Sequence, residues 1–65
     1  MEFCEILKLL RKENKINQTK LAKELKVSPK TISHWETGYT EPSIAQLISI
    51  SKFFNISLDE LITGK

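Results

Sequence analysis

Residues 18–37 read QTKLAKELKVSPKTISHWET, and the interpretation of this stretch decides the fold. Leu21, Ala22 and Leu25 recur at helical spacing, and Ile32 and Trp35 do so again after a short gap. The gap holds Lys26, Val27 and Ser28. Ser28 has the side-chain oxygen of an N-cap, and Pro29 suits the first helical position, where a missing N–H is no loss. Two short helices, about 18–25 and 29–37, are therefore joined by a three-residue turn. Leu21 and Leu25 point inward from the first, Ile32 and Trp35 from the second, and Val27 plugs the turn. Ala22 falls where the two axes approach most closely, which requires a small side chain.

Before this stretch, Phe3, Ile6, Leu7 and Leu10 form one apolar stripe at i, i+3, i+4 and i+7, a helix that ends near Asn14. Lys15 and Ile16 bridge to Asn17, a good N-cap for the next helix. Gly38 supplies the left-handed residue that stops the helix ending at Thr37. Tyr39 to Pro42 form a loop. Ser43 with Gln46 reads as a capping box, opening a fourth helix whose apolar residues Ile44, Leu47, Ile48 and Phe54 lie near one face, and Asn55 closes it. Ser57 with Glu60 forms a second box, Ile56 with Leu61 a hydrophobic staple, and Gly64 ends the last short helix. No strand pattern, repeat or low-complexity segment is present. The sequence predicts an all-α, compact five-helix bundle, one domain over residues 1–65, with short connections and mostly local contacts.

The size of the chain makes that economy necessary. A chain of 65 residues buries only about 60% of its unfolded surface, so most apolar residues must serve the core. A composition of 40% hydrophobic and 28% charged residues is that of an ordered globular chain. Cys4 is the only cysteine and His34 the only histidine, too few for a disulfide or a structural zinc site. Neither a metal nor a cofactor is expected. The start Met-Glu-Phe-Cys-Glu has no basic leader, and no apolar run is long enough for a membrane span. A reducing, cytoplasmic setting is the expectation. The net charge of +2 hides an asymmetry: Lys8 to Lys30 holds eight basic and two acidic residues, while the remainder holds two basic and six acidic. One part of the chain suits a polyanion and the other does not.

Three pieces of this sequence are also family features: Gln18-Thr19-x-Leu21-Ala22, Val27-Ser28-x-x-Thr31-Ile32-Ser33-x-Trp35-Glu36-x-Gly38, and Pro42-Ser43 followed by Leu47. On these the chain resembles the helix-turn-helix family of the phage lambda and Cro-type repressors, from Phe3 to Ile62. The resemblance implies a lambda repressor-like DNA-binding domain with the helix-turn-helix unit at 18–37. It implies a transcriptional regulator, a repressor, that inserts helix 29–37 into the major groove of double-stranded DNA. It further implies palindromic operator half-sites about 34 Å apart, read by a homodimer. Gln18, at a helix N-terminus that itself favours a phosphate, corresponds to the family's backbone clamp. Arg11 and Glu36 correspond to a pair that locks the recognition helix, with Arg11 also at the phosphates. In the turn, the family commonly has Gly where this chain has Lys26, a left-handed position costing a non-glycine residue on the order of 1 kcal/mol.

On the third helix Lys30, Ser33, His34 and Thr37 share the face opposite Ile32 and Trp35. In a DNA reader that polar face enters the groove. Lys30 can donate to guanine O6 and N7, His34 can reach a base edge or a phosphate, and Ser33 can contact either a base or a phosphate. Pro29, at the leading end, offers only apolar contact, such as to a thymine methyl. Thr19, Thr37, Tyr39 and Thr40 supply phosphate contacts at the two flanks, with general attraction from Lys15, Lys20 and Lys23. Glu41 stands in a loop where the family often has basic residues.

Trp35, at helical spacing with Ile32, reads as core packing rather than base stacking. Cys4 reads as a packed or idle thiol, and His34 as a groove or surface residue rather than a pH switch. Ser33 and His34 are adjacent and diverge on a helix, so they make no nucleophile–base pair, and no other catalytic constellation is present. The alternative to a DNA reader is a protein-interaction module of the same fold, an antitoxin or anti-regulator, for which Pro29 and Glu41 are the motivation. For a dimer surface the fourth and fifth helices are the candidates, because Ile50, Leu58 and Ile62 exceed the evident needs of a small core.

Overall fold

Apolar residues three and four apart fold into five α-helices in the computed structural model, which describes residues 2–64. They are α1 (Phe3–Glu13), α2 (Gln18–Leu25), α3 (Pro29–Thr37), α4 (Ile44–Phe54) and α5 (Leu58–Thr63). Side-chain caps set the starts. Asn17 Oδ1 accepts the Lys20 N–H at 2.7 Å and Ser28 Oγ accepts that of Thr31 at 3.1 Å. At Ser43 the box is complete: Ser43 Oγ accepts from the Gln46 N–H at 3.2 Å and Gln46 Oε1 from the Ser43 N–H at 2.7 Å. At Ser57 the expected box is only half made. Ser57 Oγ accepts the Glu60 N–H at 3.1 Å, but the Glu60 carboxylate takes the Ser57 hydroxyl at 3.4 Å instead of the backbone N–H.

Four helices stop in the same way. A residue in the left-handed region reverses the chain, and the next N–H returns to a carbonyl five residues back. The left-handed residues are Lys15, Lys26, Gly38 and Asn55. The closing bonds run from Ile16 to Arg11 (3.3 Å), Val27 to Ala22 (2.9 Å), Tyr39 to His34 (2.9 Å) and Ile56 to Ser51 (3.0 Å). Ile16, Val27 and Ile56 then tuck against the core, and their burial offsets the cost of a side chain at positive φ. Lys26 adopts φ 60°, ψ 42°, as the turn requires. Lys26→Gly should therefore stabilise the fold by about 1 kcal/mol. In urea unfolding the midpoint should rise at constant slope, while Lys26→Ala should leave it nearly unchanged; a lower midpoint for the glycine variant would contradict this account.

The helices enclose one core of Ile6, Leu7, Leu21, Ala22, Ile32, Trp35, Ile50 and Leu61. α3 packs against both α2 and α1, α5 against α1 and α4, and α4 also touches α2. Trp35 is buried, as its spacing predicts. Two expectations for α4 and its neighbour are corrected. Ile44 is 76% exposed and Ile48 also faces outward; the inward face is Leu47, Ile50, Ser51 and Phe54. Ile50 is fully buried and belongs to the core, so of the three residues expected to be surplus only Leu58 and Ile62 stay exposed. The backbone radius of gyration, 10.4 Å, matches the value of about 11 Å for a folded chain of this length. Among the described residues no helix is long and apolar enough to cross a membrane, and no three His, Cys, Asp or Glu side chains gather as metal ligands would.

Candidate nucleic-acid interface

Packed through Ile32 and Trp35, α3 turns its other side outward. Pro29 and Lys30 are exposed at its leading end, and Ser33 and His34 are half-buried along the face that follows. Pro29 takes the first helical position after the Ser28 cap. Thr37 is exposed, with its hydroxyl donating to the His34 carbonyl at 3.2 Å. Beyond Gly38, Tyr39 and Thr40 are exposed in the loop, and the Tyr39 ring lies 4.7 Å from the His34 ring, centroid to centroid, tilted by 56°.

Behind this face, one buried carboxylate ties three elements together. Glu36, at the end of α3, has a side chain only 2% exposed, and Arg11 of α1 is 12% exposed. Arg11 Nε donates to Glu36 Oε2 at 2.6 Å and Nη2 to Oε1 at 3.1 Å, a two-pronged pair. Arg11 Nη1 donates to the Ile16 carbonyl at 2.9 Å, fastening the loop ahead of α2. Gln18, the first residue of α2, donates Nε2–H to Glu36 Oε1 at 3.1 Å. Every buried polar side-chain atom among the described residues has a partner. α3, the start of α2 and the end of α1 are thus held in one register. Gln18 keeps its second amide N–H and its backbone N–H for an incoming acceptor, since neither has a partner among the described residues. Thr19 is exposed beside it. Arg11 commits three N–H groups inward, so its main work is internal.

A helix-turn-helix family model matches residues 7–61. The chain belongs to the lambda repressor-like helix-turn-helix family. The transcriptional activator BcrR of Enterococcus faecalis is 45% identical to this helix-turn-helix chain over 65 residues, all of the chain but 32% of BcrR. Repressor protein C2 of Salmonella phage P22 is 40% identical over 92% of the chain and 28% of its own length. The crystal structure of the P22 c2 repressor in complex with a synthetic operator superposes with a TM-score of 0.93 at 37% identity, covering 100% of this chain and 98% of that one. The same fold is a segment of an enzyme, hydroxypropylphosphonic acid epoxidase from S. wedmorenis, at TM-score 0.84 and 33% identity over 92% of this chain and 32% of the epoxidase. The chain spans between 28% and 54% of the length of the curated relatives it matches first.

In this helix-turn-helix chain Pro29 and Lys30 are exposed and Ser33 and His34 half-buried on α3, Tyr39 packs on His34, Thr37 and Thr40 are exposed beside it, and Gln18 and Thr19 open α2. Two features escaped sequence reasoning. The Gln18–Glu36 bond joins residues 18 apart, and only the crossing of α2 and α3 makes it visible. The Tyr39–His34 contact had a local signal: Gly38 as a helix stop returns the next residue over the last turn.

Proposed function

We propose that residues 1–65 form one DNA-binding domain of a transcriptional regulator, a sequence-specific reader of double-stranded DNA that inserts α3 into the major groove. Lys30, Ser33 and His34 then face base edges, with Pro29 in apolar contact. Gln18, Thr19, Thr37, Tyr39 and Thr40 take phosphates, and Arg11 acts chiefly through Glu36. The observation that carries this reading is the exposed polar face of α3, braced from behind by Glu36, in a fold that superposes on an operator-bound repressor. The protein acts without catalysis, in the cytoplasm, as a homodimer on two palindromic half-sites, with the exposed Leu58 and Ile62 of α5 available for the contact between copies. Repression follows where the site overlaps a promoter. The likeness to BcrR makes activation the competing outcome, and a reporter with the selected site upstream of or across the promoter separates the two.

Selection of bound sites from a random duplex pool tests the reading. The expected result is an enriched site with two inverted half-sites one helical turn apart, about 34 Å. No enrichment, with no binding at low salt, would favour the protein-interaction module, for which exposed Pro29 and Glu41 are the supporting features.

A further inference from the structure

Of the four helix stops that close on a carbonyl five residues back, three send the following residue, Ile16, Val27 or Ile56, against the core. The fourth does not. Tyr39 is 77% exposed, and its ring lies on His34 instead, at 4.7 Å and 56°, within the tilted range that aromatic pairs favour. The Tyr39 N–H bond to the His34 carbonyl and the Thr37 hydroxyl on the same carbonyl fix the backbone under both rings. A large aromatic residue is thus placed against one side chain of the polar face of α3 and against little else.

We infer that Tyr39 is a specificity-determining positioning residue: its ring holds the His34 imidazole in one orientation, and so sharpens discrimination at the base pair that His34 faces. The inference rests on the DNA-binding reading above. A half-exposed imidazole without a neighbour samples several staggered wells. Its two nitrogens differ, one donating and one accepting in the neutral ring. Each orientation therefore offers a different atom to the groove, where purine N7 and guanine O6 accept and the amino groups of adenine and cytosine donate. Hydrogen bonds weaken steeply with misalignment, so a ring averaged over orientations reads several bases about equally, and a ring held in one reads fewer. The Tyr39 hydroxyl is a separate asset. It has no hydrogen-bond partner among the described residues and remains available to a phosphate, which carries no sequence information.

The two roles come apart experimentally. Affinities are measured for the parent, Tyr39→Phe, Tyr39→Ala, His34→Ala and the double alanine variant, on the selected operator and on operators with each single base-pair change, at one salt concentration. His34→Ala should flatten the preference at one base-pair position of the half-site by roughly fivefold or more. Tyr39→Ala should flatten the same position by at least about threefold, and the double variant should be no flatter than His34→Ala. Tyr39→Phe keeps the ring and should retain that preference, weakening binding uniformly if the hydroxyl touches phosphate. In the free protein, NMR couplings should show one His34 χ1 rotamer in the parent and in Tyr39→Phe, and rotamer averaging in Tyr39→Ala. A Tyr39→Ala variant that weakens all sequences equally, with His34 still in a single rotamer, overturns the inference while leaving DNA binding intact. A parent that binds no duplex overturns the DNA-binding reading itself, and the inference with it.

Discussion

Glu36→Ala is expected to cost about 3 kcal/mol of folding stability, the lower part of the range for removing one partner of a buried ion pair. The lower part applies because Arg11 keeps 12% exposure and can recover some solvation, whereas Glu36 keeps 2%. The loss has three components: the paired prongs from Arg11 Nε and Nη2, the acceptor of the Gln18 amide, and the register of α3 against α1 and α2. A 65-residue domain commands only some 3–5 kcal/mol in total, so the variant should keep about 0–2 kcal/mol and be only marginally folded. Replacing both partners, as Arg11→Met with Glu36→Leu, should return stability to within about 1 kcal/mol of the parent, since two apolar side chains leave no charge without a partner. Urea unfolding followed by far-UV circular dichroism measures both. A single-variant cost below about 1 kcal/mol would show that the pair is solvated and that the brace contributes little.

The second large effect concerns salt. On the proposed reading, with two copies on one operator and three or more phosphates contacted by each, six or more phosphates should be neutralised. Affinity should then fall by about 1,000-fold between 50 and 200 mM monovalent salt. Individual lysines should differ in kind. Lys30→Ala should relax base preference as well as lower affinity, because it stands on the reading face. Lys23→Gln should weaken all sequences alike and reduce the salt slope by about one unit per contact. Lys20 already stands 3.5 Å from Glu24, so its replacement should change the slope least. An affinity that moves less than tenfold over this range would remove counterion release as the driving term and leave the basic stretch without its assigned role.

Much of this fold was legible because its signals are local. Asn17, Ser28, Ser43 and Gly38 each act within one turn of themselves, and each does in the structure what its residue type permits. α4 was not legible in the same way. Seven of its eleven residues, IAQLISISKFF, are apolar, so periodicity alone chooses no face; contact with α2 and α5 decides that Ile50 turns in and Ile44 out. Ser57 made only half of its box: the Glu60 carboxylate lies at the Ser57 hydroxyl rather than at its N–H, a choice of rotamer that residue type does not fix. At the interface, the exposed residues of α3 followed from helical spacing, because a helix that buries Ile32 and Trp35 must present Lys30 and His34 elsewhere. The partners of those residues did not follow. Glu36 looked like one half of a pair, and the structure makes it the shared acceptor of Arg11 and Gln18.

That shared acceptor has a mechanical consequence. Because Gln18 and α3 hang from a single carboxylate, the distance between what the proposed reading makes a phosphate anchor and a base-reading helix is fixed before any duplex arrives. A stretch of DNA whose groove does not match that distance must widen, twist or bend to fit, and the energy of doing so varies with stacking at steps no side chain touches. On the proposed reading, the stiffness of the protein converts DNA elasticity into sequence preference, and base pairs between the half-sites acquire a vote without being contacted.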